Sequence, residues 1–337
     1  MRKPRSKERL QAELKSAKQR NKELRRVAFA WSNDDSGTLQ PTRPWKCGVR
    51  VAPPTMLSAE ELTLLYWCAS SYYSGLGEIV DAGCFLGGST VALASGLRDN
   101  LKVAGKERRI HSFDRFLVDH HTKQRFFHDS PLKVGDSFLS AYEHNIEKHR
   151  SHVEIYAGDI RSAAWNAPIE ILFLDVIKES SINDVIMTRF FPHLIPGISL
   201  VIQQDYIHFA LPWIHITMER LAEYFETLDY FRSGSAVYRL KRALPAETLE
   251  GFVASPPSAD GQIALIDAAI AKVPSESKVM IELSKVILLM QLRRPADAVA
   301  LFDHLQKANT DPGMTHRILE VKNVVVQKER EMLEVRR

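Results

Sequence analysis

Ile79-Val80-Asp81-Ala82-Gly83-Cys84-Phe85-Leu86-Gly87-Gly88-Ser89 is the stretch that decides the fold. A short apolar run closes on an acid, and glycines follow in the spacing D-x-G-x-x-x-G-x-S. That order reads as a strand, a tight turn and the start of a helix. Glycine lets the backbone turn sharply and lets a ligand lie against it with no Cβ in the way. The helix start that follows offers unpaired N–H donors. A dinucleotide site would want G-x-G-x-x-G, and Phe85 stands where the second glycine belongs. A phosphate loop would want Gly-Lys-Ser or Gly-Lys-Thr, and no lysine is present.

Outward from this stretch the chain alternates apolar strands with helices. Strands are predicted at 78–82, 109–113, 153–156, 169–174, 198–202 and 236–240, the last of them final. Helices are predicted at 89–97, 137–149, 182–194 and 213–228. Ser58 followed by Glu60 and Glu61 reads as an earlier helix start. Such alternation implies an α/β fold, a Rossmann-like, doubly wound, mostly parallel sheet covered on both faces. Ligands of such sheets bind outside the carboxyl ends of the strands. Those ends read Asp81, Asp114, Asp159, Asp175 and Gln204-Asp205-Tyr206. One carboxylate, such as Asp114, suits both hydroxyls of a ribose. Asp175 and Asp205, at neighbouring strand ends, would point into one cleft. They could hold a hard divalent ion through oxygen, or orient an acceptor hydroxyl and take its proton. His208 and His215 flank Pro212 and Trp213 just beyond. His208, nearer the strand end, is the better candidate base, and His215 reads as a cleft-lining or surface residue. Phe85, Tyr206 and Trp213 either wall an acceptor pocket or belong to the core.

The Asp81–Ser89 pattern resembles motif I of class I S-adenosylmethionine-dependent methyltransferases. The resemblance implies that Asp81 lies near the cofactor's methionine amino group. Gly83, Gly87 and Ser89 would form the cofactor turn, Asp114 would hold the ribose and Asp159 would sit near the adenine amino group. The strand ends at Asp175 and Gln204-Asp205-Tyr206 resemble the macrolide-sugar O-methyltransferases. That group implies Mg²⁺ held by Asp175, Gln204 and Asp205, with Asp175, Asp205 and His208 as the catalytic set. Its fifth strand typically carries Asp-Asp-Tyr. The neutral Gln204 removes one anionic ligand and lowers the expected Mg²⁺ affinity. The implied function is methylation of a sugar hydroxyl on a glycan or glycosylated metabolite. RNA or protein methylation guided by a basic arm is the alternative from a second class, and a catalytically silent assembly module is the third. The Leu174-Asp175-Val176-Ile177 strand end lacks the Pro-Pro-Tyr type of signature used on amino groups.

The 337 residues are 45% hydrophobic and 26% charged, enough apolar content for a packed core. The formal net charge of +4 is unevenly placed, since residues 1–26 carry +8. Leu10, Leu14, Ala17, Asn21, Leu24 and Ala28 fall at a/d spacing, with Asn21 as a polar seam residue, within a helix predicted over 6–30, which leaves self-association open. The division expected is a basic helical arm and linker at 1–45, a methyltransferase domain at 46–244 and an all-helical, tetratricopeptide-like domain at 245–337. In the last, 245–262 reads as linker, with helices at 261–273, 277–292, 295–308 and 313–334. Cys47, Cys68 and Cys84 are odd in number with no C-x-x-C, so a reducing, cytoplasmic setting is expected. No apolar run approaches a membrane span. The expected partner is a small-molecule or glycan acceptor, with self-association through the terminal helices open and nucleic acid disfavoured.

Overall fold

The computed structural model describes residues 53–231, 234–309, 314 and 317–323. The expected basic arm with its a/d seam, Cys47, and most of the linker and last helix lie outside the described residues.

A capping box opens the described chain. The Ser58 hydroxyl accepts from the Glu61 N–H at 3.2 Å and Glu61 Oε2 accepts from the Ser58 N–H at 2.9 Å. This starts α1 (Ala59–Trp67) at the residue the sequence indicates. Five strands alternate with helices after it. They are β1 (Glu78–Ala82), β2 (Ile110–Asp114), β3 (Val153–Ala157), β4 (Ile169–Leu174) and β5 (Leu200–Gln203). Between them run α2 (Gly88–Asp99), α3 (His120–Arg125), α4 (Leu139–Asn145) and α5 (Ser180–Val185). Beyond β5 come α6 (Pro212–Arg220), β6 (Phe225–Tyr230) and β7 (Ala236–Leu240).

The sheet order is β3-β2-β1-β4-β5-β7-β6. The first five strands are parallel, and β7 runs antiparallel to both β5 and β6. The fold is therefore Rossmann-like and mostly parallel. Period-two alternation assigns each strand to two cores. Val80, Leu172, Leu174 and Val201 enter one hydrophobic cluster, and Ile79, Ile171, Phe173 and Ile202 enter the other. The order of winding reverses between β1 and β4, and a crevice opens at such a point. Register aligns the strand ends there. Ala82 pairs with Phe113 and with Leu174, and Leu174 pairs with Gln203. The next residue of each strand forms one row: Gly83, Asp114, Asp175 and Gln204.

Two expectations are corrected. The helix expected over 213–228 ends at Arg220, and Phe225–Tyr230 is a strand. Leu221, Phe225 and Leu228 keep helical spacing, which imitates a helix. Pairing with β7 overrides that local preference. The stretch read as linker contains a helix, α7 (Ala246–Ala254), whose Leu249 and Phe252 are buried. The turn residues there mark its ends: Pro245 precedes it and the Ser-Pro cluster 255–258 follows it.

Helices α8 (Ala259–Lys272), α9 (Lys278–Gln291) and α10 (Pro295–Ala308) complete the described chain apart from residues 314 and 317–323. Ile266, Ala269, Ile281 and Leu288 join the cluster that holds β4, β5 and β7. A third cluster pairs α9 with α10 through Leu283, Ile287, Phe302 and Leu305, and it takes in Phe209 from the loop after β5. Among the described residues no helix is long and apolar enough to cross a membrane.

Candidate functional site

The turn after β1 is held by backbone on both sides. Gly83 N–H donates to Phe113 O at 2.8 Å, and Asp175 N–H donates to Ala82 O at 2.8 Å. Gly83 has φ +92°, and a Cβ there would fall 2.5 Å from the Asp175 carbonyl oxygen. Phe85 follows in the left-handed region at φ +46°. Its ring packs edge-on against Phe126 and Phe138, with centroids 5.0 and 5.4 Å away. Gly87, at φ +95°, caps α2, and a Cβ there would meet Ile146 at 2.9 Å. Gly87 thus serves packing against the chain after α4, while Gly83 lines the cleft.

Asp81 is fully buried beneath this turn and is not part of the cleft lining. Its Oδ2 accepts from the Ser89 and Thr90 hydroxyls at 3.1 and 2.6 Å. Its Oδ1 is buried with no hydrogen-bond partner. Burial pushes its pKa up to about 6, against those two hydroxyls and with a contribution from the charge of Asp114. An unpartnered buried carboxylate oxygen is costly, and a cationic donor would relieve it.

Asp114, at the end of β2, stands in the cleft. Its Oδ2 accepts from the Phe85 N–H at 2.9 Å and its Oδ1 from the Phe116 N–H at 2.7 Å. Burial raises its pKa, and the two amides oppose the rise. Each oxygen keeps a lone pair for a ligand hydroxyl. Asp159, on the lip of the cleft, is already engaged. Arg161 reaches its Oδ2 at 2.6 Å and holds its pKa low.

Asp175 and Asp205 come together, but only Asp175 lines the cleft and a lysine stands between them. Lys178 Nζ donates to Asp175 Oδ1 at 2.7 Å and also to Asp205 Oδ2. Its own loop fixes it there. Ile177 is buried in the core, and the Trp213 indole N–H donates to the Ile177 carbonyl at 3.3 Å. Asp205 adopts φ +60°, a left-handed conformation in the turn that follows β5. Burial raises the Asp175 pKa; Lys178 opposes the rise and the Asp205 charge adds to it.

The expected Mg²⁺ site does not fit these residues. An ammonium occupies the space between the two carboxylates, and like charge excludes a divalent ion from it. Gln204 Oε1 is buried without a hydrogen bond, but it is neutral. Among the described residues no group of three or more His, Cys, Asp or Glu side chains could hold a metal. Lys178 was not singled out in the sequence. Its signal was the pair of changes Asp175-x-x-Lys178 and Gln204, one cation gained and one anion lost at the same strand ends.

The aromatic and histidine expectations divide. Phe85 lines the cleft. Tyr206 is fully buried, with its ring against His215 at 4.8 Å and Tyr230 at 5.6 Å, so it belongs to the core. His215 is fully buried, its Nε2 2.6 Å from Tyr206 O, and burial lowers its pKa to about 4. His208 is not in the cleft lining. Its Nδ1 accepts from the Ala210 N–H at 3.1 Å, so the neutral ring carries its proton on Nε2. Burial lowers its pKa further, against the charge of Asp205.

No protein-family model matches the sequence, and no curated protein matches it. Solved structures similar to it include CalS11, a TDP-rhamnose 3′-O-methyltransferase of calicheamicin biosynthesis. That alignment has 15% identity and a TM-score of 0.41, over 65% of this chain and 93% of that one. A Pyrococcus horikoshii protein assigned provisionally to RNA methylation aligns at 12% identity and TM-score 0.34, over 65% of this chain and 96% of that one. Coclaurine N-methyltransferase, solved with N-methylheliamine and SAH, aligns at 12% identity and TM-score 0.29, over 87% of this chain and 83% of that one.

Proposed function

We propose that this protein is an S-adenosylmethionine-dependent methyltransferase acting on oxygen, with a sugar hydroxyl of a glycan or glycosylated metabolite as acceptor. The observation that carries this reading is the row of Gly83, Asp114 and Asp175 along one crevice at the switch point of the sheet. Gly83 presents bare backbone to a ligand. Asp114 has lone pairs left for two ribose hydroxyls. Asp159, paired with Arg161, bounds the far lip. The Asp175 side offers carboxylates and cations (Lys178, Glu179, Arg161) within reach of one another, a lining suited to an acceptor with several hydroxyls.

The cofactor supplies, when bound, a methyl group on a sulfonium, and its transfer breaks an S–C bond, forms an O–C bond and leaves the electron pair on sulfur. The protein's tasks are to align the acceptor, exclude water and receive one proton. Alignment contributes most of the rate in such a step. The proton goes to Asp175. Its raised pKa makes it a stronger base than an ordinary carboxylate. His208 is not given this task, because its free nitrogen already carries a hydrogen.

The test is methyl transfer to a panel of glycosylated small molecules and nucleotide sugars, with the methylated product identified by mass. Asp175→Asn is expected to lower kcat by about 100- to 10,000-fold while leaving cofactor affinity unchanged. Transfer that continues undiminished when Asp175→Ala and Asp205→Ala are combined contradicts the assignment of these carboxylates.

A further inference from the structure

The geometry points to Lys178 as the resident cation of the acceptor site: its ammonium takes the seat between Asp175 and Asp205 that a divalent ion would need, and it meets the acceptor oxygen without any metal. The role toward the acceptor rests on the methyltransferase reading above. The cation seat itself rests only on the side chains.

Three observations converge. Lys178 Nζ bridges one oxygen of each carboxylate, which is how a small cation would be held. Asp175 and Asp205 are largely covered, with side chains 15% and 19% exposed, while the Lys178 side chain is 53% exposed and lines the cleft. The side chain thus reaches the cleft while its ammonium is held by the two carboxylates. The third donor expected for a metal, Gln204, is neutral, so the seat holds two anionic groups rather than three and attracts a divalent ion less strongly.

The chemical consequence is specific. A Mg²⁺ ion would lower the pKa of a coordinated hydroxyl by direct bonding. An ammonium instead donates a hydrogen bond to the oxygen as negative charge develops on it, while the neighbouring carboxylate takes the proton. Such a site tolerates chelators. With two of its three donor hydrogens on Asp175 and Asp205, the ammonium keeps one for an acceptor oxygen.

The experiment uses the full chain and Mn²⁺ as a paramagnetic probe of the seat. Wild-type protein is expected to bind no Mn²⁺ at millimolar concentration. Lys178→Met, which keeps the stem and removes the charge, is expected to expose the two carboxylates and bind Mn²⁺. That binding is expected to disappear when Asp205→Asn is added. Wild-type binding that Asp205→Asn abolishes overturns the proposal, because the seat would then already accept a metal. A folded Lys178→Met protein that binds no Mn²⁺ also overturns it, because the carboxylates would then form no cation seat. A methyl-transfer arm separates the two readings. Turnover unaffected by EDTA and lost in Lys178→Met supports the role toward the acceptor, and turnover abolished by EDTA overturns it. The Mn²⁺ result stands whether or not a methyl acceptor is found.

Discussion

Asp114→Ala is expected to lower affinity for S-adenosylmethionine by about 100-fold or more. Two hydrogen bonds to a charged acceptor contribute about 1.5–3 kcal/mol each, and about 1.4 kcal/mol corresponds to tenfold. The substitution also removes the acceptor of the Phe85 N–H, so the turn that carries Gly83 loses a strut from β2. Both effects act in one direction. Asp159→Ala is the internal control. Its carboxylate is already committed to Arg161, so its removal costs less affinity. Calorimetric titration of the two variants, each confirmed folded by thermal melting, measures the contrast. Equal affinity in Asp114→Ala and the unmodified protein would remove Asp114 from the site.

Gly83→Ala is expected to be the most destabilising single change in the turn. Its Cβ would fall 2.5 Å from the Asp175 carbonyl oxygen and 2.6 Å from its carbon. These are backbone atoms of a central strand end, which cannot swing aside as a side chain would. The φ of +92° adds a strain that any L side chain feels. Gly135 has the same φ of +92°, and a Cβ added to it would meet nothing within 4 Å. Gly135→Ala therefore isolates the dihedral cost, about 1–2 kcal/mol. Gly83→Ala adds overpacking of about 1–3 kcal/mol to that. Urea unfolding of both variants gives the comparison. Equal losses would mean that the ends of β1 and β4 part freely, and the crevice would then lack a fixed wall.

The general architecture was legible because both faces of the sheet are buried. Strands such as Ile169–Leu174 are then continuously apolar, and the acids that follow them stand out. Asp114, Asp175 and Gln204 of the row follow from strand ends alone, whereas β1 contributes Gly83 rather than Asp81, which lies beneath the turn. The β6 strand was not legible, because Leu221, Phe225 and Leu228 satisfy helical spacing and only the pairing with β7 decides between the two. The roles of Gly87 and Tyr206 were not legible either. Both sit in motifs that suggest a ligand, and both face packing partners, Ile146 for one and His215 and Tyr230 for the other. A motif states which residue types are present, whereas their direction depends on the backbone.

Lys178 illustrates the same limit from the other side. A lysine three residues past a strand end is ordinary in a sequence. It gains meaning only when β5 brings Asp205 beside Asp175 and the turn after β4 folds the ammonium between them. The loop after β5 is held in turn by Phe209, which is buried among α9 and α10. The helices beyond the sheet thus contribute to the position of Asp205 without lining the cleft.

The most direct test of the central claim is calorimetric titration of the unmodified full-length chain with S-adenosylmethionine. Saturable one-to-one binding in the micromolar range, displaced by S-adenosylhomocysteine, is the predicted result. The absence of saturable heat at millimolar S-adenosylmethionine would contradict it.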